Sequence, residues 1–323
     1  MANLTVAFVG PAGYAKDLGN KSESTDITLY DSRKGDVTVN VIEPTAYPEK
    51  LAPLFYATSM ADMALVAVEK LDAVFGECAL MLDCAGVRSG YIVLRNCLTK
   101  DQIAPIIKGL VLEKYQFLED DHTAIREKLM EEAEGLESNE GMKMTVFAGS
   151  VPVYQSFEVK GAGAVALGLV AEGVIKRHDR LKLLPGGKTA EVRSIRKHDN
   201  DFDWAAKGDI VGLAVKGVEI ADLERGVVLT NNADMKSTLS ITAEAKLVKY
   251  WPGPLKEGMV LHIGHWMQFA NARVENVTDD GDWKQPTLKL ALERPLVHLQ
   301  GMRVIICYLD GGKLRVVGTL ELT

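Results

Sequence analysis

The sequence predicts an α/β domain followed by two antiparallel β-barrels, and three observations carry that reading. Up to residue 145, short apolar runs alternate with segments of helical spacing, the pattern of a mainly parallel sheet covered by helices. Beyond it, short strands are separated by glycine and proline turns, with little helix. The second stretch divides into two blocks of similar length, 146–232 and 237–323, each long enough for one barrel.

Taken in order, Thr5–Val9 is a short apolar run entering Gly-Pro-Ala-Gly, which predicts a buried parallel strand, a turn and a helix. Ile27–Tyr30 and Val37–Ile42 are β-rich runs joined by Asp-Ser-Arg-Lys-Gly-Asp, a hairpin signal. LAPLFYATSMADM has helical spacing, ALVAV is a buried strand, LDAVFGECALMLDCAGV is a helix ending at Gly86, and GYIVLRN is a strand. DQIAPIIKGLVLEKYQFL and HTAIREKLMEEAEGL read as two further helices, the second with opposite charges at helical offsets. LESNEGMKM reads as a polar linker to the strand-rich half.

A chain of 323 residues exceeds what one core usually holds, and 47% apolar with 25% charged residues is an ordinary soluble composition. No window approaches eighteen uncharged apolar residues and MANLTVAFVG carries no basic leader, so neither a membrane span nor a secretion signal is expected. Cys78, Cys84, Cys97 and Cys307 form no CxxC pair and are expected as reduced thiols in a cytoplasmic protein. The net charge of −7 is unevenly spread: residues 1–145 hold 14 basic and 23 acidic side chains, the remainder 23 and 21. That asymmetry disfavours a nucleic-acid surface on the first domain and permits one on the barrels.

A strand-loop-helix that cradles phosphate needs glycines where its backbone meets the anion, a lysine for the terminal phosphates, and a Ser or Thr hydroxyl for magnesium. GPAGYAKD keeps Gly10, Gly13 and Lys16 as a vestigial phosphate site, but has Ala15 before the lysine and Asp17 after it. A carboxylate at 17 points negative charge at a polyphosphate. No Ser/His/Asp or Cys/His arrangement offers a catalytic group, and no metal site is expected. His262 and His265, three apart in a strand, point to opposite faces and cannot share a metal unaided. With Tyr250, Trp251, Trp266 and Phe269 they read as packing residues.

The barrel segments VKGAGAVALGLVAEGVIKRHDRLKLLP and GDIVGLAVKGVEIADLERGVVL, with turn glycines Gly208, Gly212, Gly217 and Gly226, resemble the second domain of the translational GTPase family, in its elongation factor Tu and selenocysteine-specific factor branch. MRVIICYLDGGKLRVVGTLEL resembles the last hairpin of the family's third domain, so the resemblance spans essentially the whole chain. It implies a P-loop-NTPase-like first domain over 1–145, and there the family's motifs are altered. Only 26 residues separate Lys16 from the stretch IEPTAYPEKL, which stands for Asp-Thr-Pro-Gly-His with Glu43, Ala46 and Tyr47 at the aspartate, glycine and histidine positions. LRNCL stands for the guanine-reading Asn-Lys-x-Asp, with Arg95, Asn96, Cys97 and Leu98; Leu98 cannot accept hydrogen bonds from a guanine edge. The expectation is a degenerate G domain with no cofactor and no productive GTP hydrolysis. Binding of GTP or GDP through Lys16 and the loop amides is the alternative, with Asp17 holding magnesium in an atypical active GTPase.

The resemblance also implies partners: tRNA, the ribosome or a translation protein, with neither membrane nor DNA among them. Glu224 and Arg225 match the family position beside the terminal adenosine of aminoacyl-tRNA. Lys176–Lys197 holds eight Lys/Arg against Asp179 and Glu191, a candidate RNA-tracking face that includes Arg193 and Arg196. The same alternation also suits a solvated barrel surface. A protein-binding scaffold without an RNA role, docking through the acidic first domain, is the remaining alternative.

Overall fold

The computed structural model of the protein describes residues 2–140, 148–161, 163–197, 200–310, 312 and 314–322. It divides into two compact units: 1–140 with 247–252 and 305–319, and 141–246 with 253–304 and 320–323.

In the first unit, strands β1 (Ala2–Val9), β2 (Asn20–Ser24), β3 (Thr28–Lys34), β4 (Val37–Glu43), β5 (Met63–Val68), β6 (Gly90–Leu94) and β7 (Gln116–Leu118) form one sheet in the order β2-β3-β4-β1-β5-β6-β7. From β4 to β7 every pairing is parallel, whereas β2-β3 and β3-β4 are antiparallel. The β3-β4 hairpin turns tightly, Lys34 facing Val37 across Gly35 at φ 62°. Helices α1 (Ala52–Ser59), α2 (Ala73–Ala85), α3 (Lys100–Ile107) and α4 (His122–Glu140) follow in the chain. Alternate residues of β1 and β4, among them Leu4, Val6, Phe8, Val39 and Val41, bury against Ile125, Leu129 and Ala133 of α4. The helix α2 starts where Asp72 accepts the amides of Val74 and Phe75, and stops at Gly86 in the left-handed conformation, φ 72°.

Three sequence expectations fail here for local reasons. The strand β1 leads into a single 3-10 turn, Tyr14–Asp17, instead of a helix, and the polar strand β2 follows it. The expected helix over 101–118 breaks after Ile107: Gly109 sits at φ 81°, a 3-10 turn covers Val111–Lys114, and the chain joins the sheet as β7. Leu136–Glu140, expected as linker, extends α4, there being no proline to end it; Gly141–Met144 lie outside the described residues.

Strands β8 (Ser150–Val159), β9 (Gly163–Leu169), β10 (Val174–Lys176), β11 (Arg180–Leu184), β12 (Thr189–Lys197), β13 (Asn200–Phe202), β14 (Trp204–Ala206), β15 (Ile210–Lys216) and β16 (Val228–Thr230) build the first barrel. Its ring runs β11-β16-β8-β9-β15-β12 and closes by pairing β12 with β11; β13 adds to β12, and β10 with β14 forms a small separate ribbon. The second barrel closes as β17-β20-β19-β18-β21-β22, from β17 (Lys236–Leu247), β18 (Val260–His265), β19 (Gln268–Thr278), β20 (Thr287–His298), β21 (Arg303–Cys307) and β22 (Val316–Glu321). Closure leaves neither ring a free edge. Of the expected turn glycines, Gly208, Gly217 and Gly226 have positive φ, but Gly212 lies within β15, where its missing side chain leaves room beside Leu167.

Gly226 is needed twice over. Its φ is 92°, and a Cβ there would approach the Met267 carbonyl to 3.3 Å. Gly226→Ala is expected to cost about 1–2 kcal/mol from the backbone conformation alone, read as a lowered urea midpoint for the unit that contains the first barrel.

Candidate functional site at the carboxyl ends of the parallel strands

The loop after β1 is held by its own chain. Tyr14 and Ala15 are buried in the sheet core, the Tyr14 ring stacking on Phe8 at 5.2 Å between centroids and 2° between planes. Beside them the Gly13 amide donates to Glu43 Oε1 at 2.6 Å, and Tyr30 donates its hydroxyl to Glu43 Oε2 at 3.0 Å. Burial, together with this carboxylate, pushes the Tyr30 phenol up to about 12. Gly10 is constrained by packing, since a Cβ would meet the Ala67 carbonyl at 2.8 Å. Lys16 and Asp17 are exposed on the 3-10 turn, and among the described residues no hydrogen bond or ion pair is formed by the Lys16 side chain. Lys16→Ala is therefore expected to leave the melting temperature within about 1 °C, in line with surface substitutions of at most ±0.5 kcal/mol.

At the ends of β6 and β7, Arg95 Nε donates to Asp120 Oδ2 at 2.8 Å and its Nη1 to Glu69 Oε1 at 2.5 Å. The same guanidinium lies 5.3 Å from the Tyr14 ring centroid, and Tyr14 donates its hydroxyl to Asp120 Oδ1 at 2.7 Å. Burial raises the Asp120 pKa, but the hydrogen bonds from Tyr14 and Arg95 outweigh it and hold the carboxyl below its ordinary value. Asn96 and Cys97 then follow in the left-handed region, φ 51° and 60°. Sequence spacing pointed to Arg95; the roles of Tyr14, Glu69 and Asp120 depend on which strand ends adjoin, which spacing does not encode.

Between the β1 loop, the chain after β4 and the start of α2 lies a pocket of about 300 Å³, at the carboxyl ends of β1, β4 and β5. Open α/β sheets offer ligands such a crevice there. Tyr47 also lines it, donating its hydroxyl to Glu77 Oε2 at 3.1 Å and to the Val74 carbonyl. Glu77, 4% exposed, binds Arg315 through Nε at 3.0 Å and Nη2 at 2.5 Å. Cys78, Cys84 and Cys307 are buried, Cys97 is exposed, and none is bridged.

The basic segment of the first barrel is less open than its sequence suggests. A β-bulge between Val192 and Ser194 turns both Arg193 and Arg196 outward, although three residues apart in a regular strand would face oppositely. Lys197 belongs to no surface: it is 3% exposed and pairs with buried Asp209 at 3.0 Å, its ammonium 4.2 Å from the Phe202 ring and 5.1 Å from that of Trp204. Carboxylates outside the segment meet other members, with Asp222 at 2.7 Å from Lys188, Asp201 at 3.2 Å from Arg196 and Asp203 at 3.9 Å from Arg177. Arg225 Nε donates to the Tyr154 carbonyl at 2.9 Å, while Glu224 stays exposed, 3.5 Å from Arg294. The resemblance had not singled out Arg294, and only the fold brings it to Glu224. In the aromatic set, Tyr250 is exposed and Trp251 buried, the latter edge-on to Tyr308; His262 stacks on Phe269 and His265 lies against Trp266. Burial pulls the His265 pKa down to about 4, which keeps it neutral.

An α/β domain of this strand order, followed by two closed six-stranded barrels, is the architecture of translation factors. The model of the family described as elongation factor Tu domain 2 matches residues 163–230. An uncharacterized protein of Methanocaldococcus jannaschii is 34% identical over 324 residues, covering 100% of both chains. Elongation factor 1-alpha of Saccharolobus solfataricus is 34% identical over 116 residues, 35% of this chain and 26% of that protein. Among solved structures, translation elongation factor SelB from Methanococcus maripaludis, apo form, superposes with TM-score 0.79 at 21% identity, over 99% of this chain and 79% of that one. Bacterial selenocysteine-specific elongation factor EF-Sec gives TM-score 0.79 at 16% identity, over 100% of this chain and 58% of the other. The chain belongs to the translational GTPase-like family.

Proposed function

We propose that this protein is a translation-elongation-factor-like protein of the cytoplasm that binds tRNA, the ribosome or a translation partner through its barrels, without productive GTP hydrolysis. Its parts are an α/β domain over 1–145 and barrels over 146–232 and 237–323. One observation carries the nucleotide side of the reading: the Gly13 amide, a donor that a phosphate would need, is taken at 2.6 Å by the Glu43 carboxylate. A bound polyphosphate would have to displace a fixed negative charge before meeting the loop. The Arg95, Asp120 and Tyr14 hydrogen bonds add to this, because they use donors and acceptors at strand ends where a base would lie. The partner side is supported by the kinship with elongation factors and by the outward Arg193 and Arg196, with Glu224 and Arg225 nearby in the same unit's sequence.

Two measurements test it. Calorimetric titration of nucleotide-stripped protein with GTP, GDP and ATP in magnesium is expected to give no heat; micromolar guanine-nucleotide binding would restore the atypical GTPase. Affinity for tRNA is expected to fall with salt, and the Arg193→Ala, Arg196→Ala double variant to lower the log–log slope by about 2, roughly 1 per phosphate contact. A salt-independent or absent tRNA complex at low ionic strength would leave a protein-binding scaffold.

A further inference from the structure

The pocket at the carboxyl ends of β1, β4 and β5 has in its wall a carboxylate that forms no ion pair among the described residues. Glu43 in its wall is 4% exposed, and among the described residues no Lys, Arg or His lies within ion-pair distance of it. Its two hydrogen-bond donors, the Gly13 amide and the Tyr30 hydroxyl, are neutral groups. A carboxylate offers about four lone-pair sites, so two donors leave capacity for a third partner. A buried charge without a counter-charge is costly, and the cost is recovered by whatever cation completes the pair.

The surroundings decide the sign and character of that partner. Asp72 and Glu69 also line the pocket, Glu69 already paired with Arg95, against one exposed cation, Lys70. Two backbone donors at the start of α2, Val74 and Phe75, are occupied by Asp72, and Gly13 by Glu43, so backbone groups that would favour an anion are already engaged. The remaining wall is largely apolar, with Val66, Val74 and Phe75 in it, and its volume of about 300 Å³ sits at the lower end of small-molecule sites, roughly 300–1,000 Å³.

We infer that this pocket binds a small organic cation, an ammonium carried on an apolar body, with Glu43 as its counter-charge. The assignment goes beyond the translation-factor reading and does not depend on RNA binding. A bare divalent cation fits less well, because the apolar wall offers it no ligands and no cluster of three acidic, histidine or cysteine side chains capable of holding a metal occurs among the described residues.

The full chain would be titrated with 3-phenylpropan-1-amine, 3-phenylpropan-1-ol and 3-phenylpropanoate, following backbone amide shifts of Gly13 and residues 66–75. The amine is expected to bind at least ~10-fold more tightly than the alcohol, a difference of about 1.4 kcal/mol, with the carboxylate weakest. Glu43→Gln should bring the amine to the alcohol's affinity, with an unchanged circular dichroism spectrum. Should that variant fail to fold, the ranking of the three probes on the native chain decides. Equal binding of the three, preference for the carboxylate, no binding at all, or displacement of the amine by millimolar magnesium would each overturn the assignment. Nucleotide binding measured separately by calorimetry, with the amine preference intact, would defeat the proposed function while leaving this inference standing.

Discussion

Arg315→Met is expected to destabilise the unit built on the α/β domain by about 3–5 kcal/mol, the usual cost of stripping one partner from a buried ion pair. Glu77 is 4% exposed, and it receives both the Nε and Nη2 of Arg315 as well as the Arg315 amide at 3.2 Å. Methionine keeps the stem's bulk, leaving the carboxylate with the amide and the Tyr47 hydroxyl but no cation. Adding Glu77→Gln removes the stranded charge and should recover most of the loss. Urea unfolding followed by α2 hydrogen exchange reads both, and equal destabilisation in single and double variants would show that packing, not charge, carries the contact.

Lys197→Met should cost the first barrel a similar amount, about 3–5 kcal/mol. Removing the ammonium leaves the Asp209 carboxylate, 4% exposed, accepting from the Ala206 amide at 2.8 Å but stripped of this cation. Phe202 and Trp204 lose their cation as well, worth about 0.5–2 kcal/mol depending on solvent exposure. In the Lys197→Met, Asp209→Asn pair the amide oxygen still accepts from Ala206 and no charge is buried, so much of the stability should return. Hydrogen exchange of the β12 and β15 amides through a urea gradient reports the barrel. A single variant as stable as the native chain would mean that water reaches Asp209.

These two pairs also show where sequence reading stops. Continuous apolar runs exposed the strands β1, β5 and β6, which are buried on both faces, and α2 was marked by Asp72 and Gly86 at its ends. The strand β2, Asn-Lys-Ser-Glu-Ser, has no apolar face to reveal it and is defined by pairing with β3. Likewise, Lys197 looks like one more surface cation until the bulge in β12 changes which face it takes, and Asp201, Asp203 and Asp222 become its segment's counter-charges only through strand pairing and turns. At the candidate site, the altered loop was legible as residue types. That Glu43 fills the role of acceptor for Gly13, and that Tyr14 turns into the core, required the parallel register of β1 with β4, where Ala7 lies opposite Ile42.

The Glu43 contact with Gly13 has a kinetic consequence. A phosphate held by a loop is a visitor: it can be cleaved, diffuse away and be exchanged, and each event can be timed. A glutamate is tethered by its own backbone, so its effective concentration at the loop does not respond to the supply of any metabolite. Under the function proposed above, such a loop keeps no record of elapsed time, and any rearrangement of the protein would take its signal from a different ligand with unequal affinity for the two arrangements.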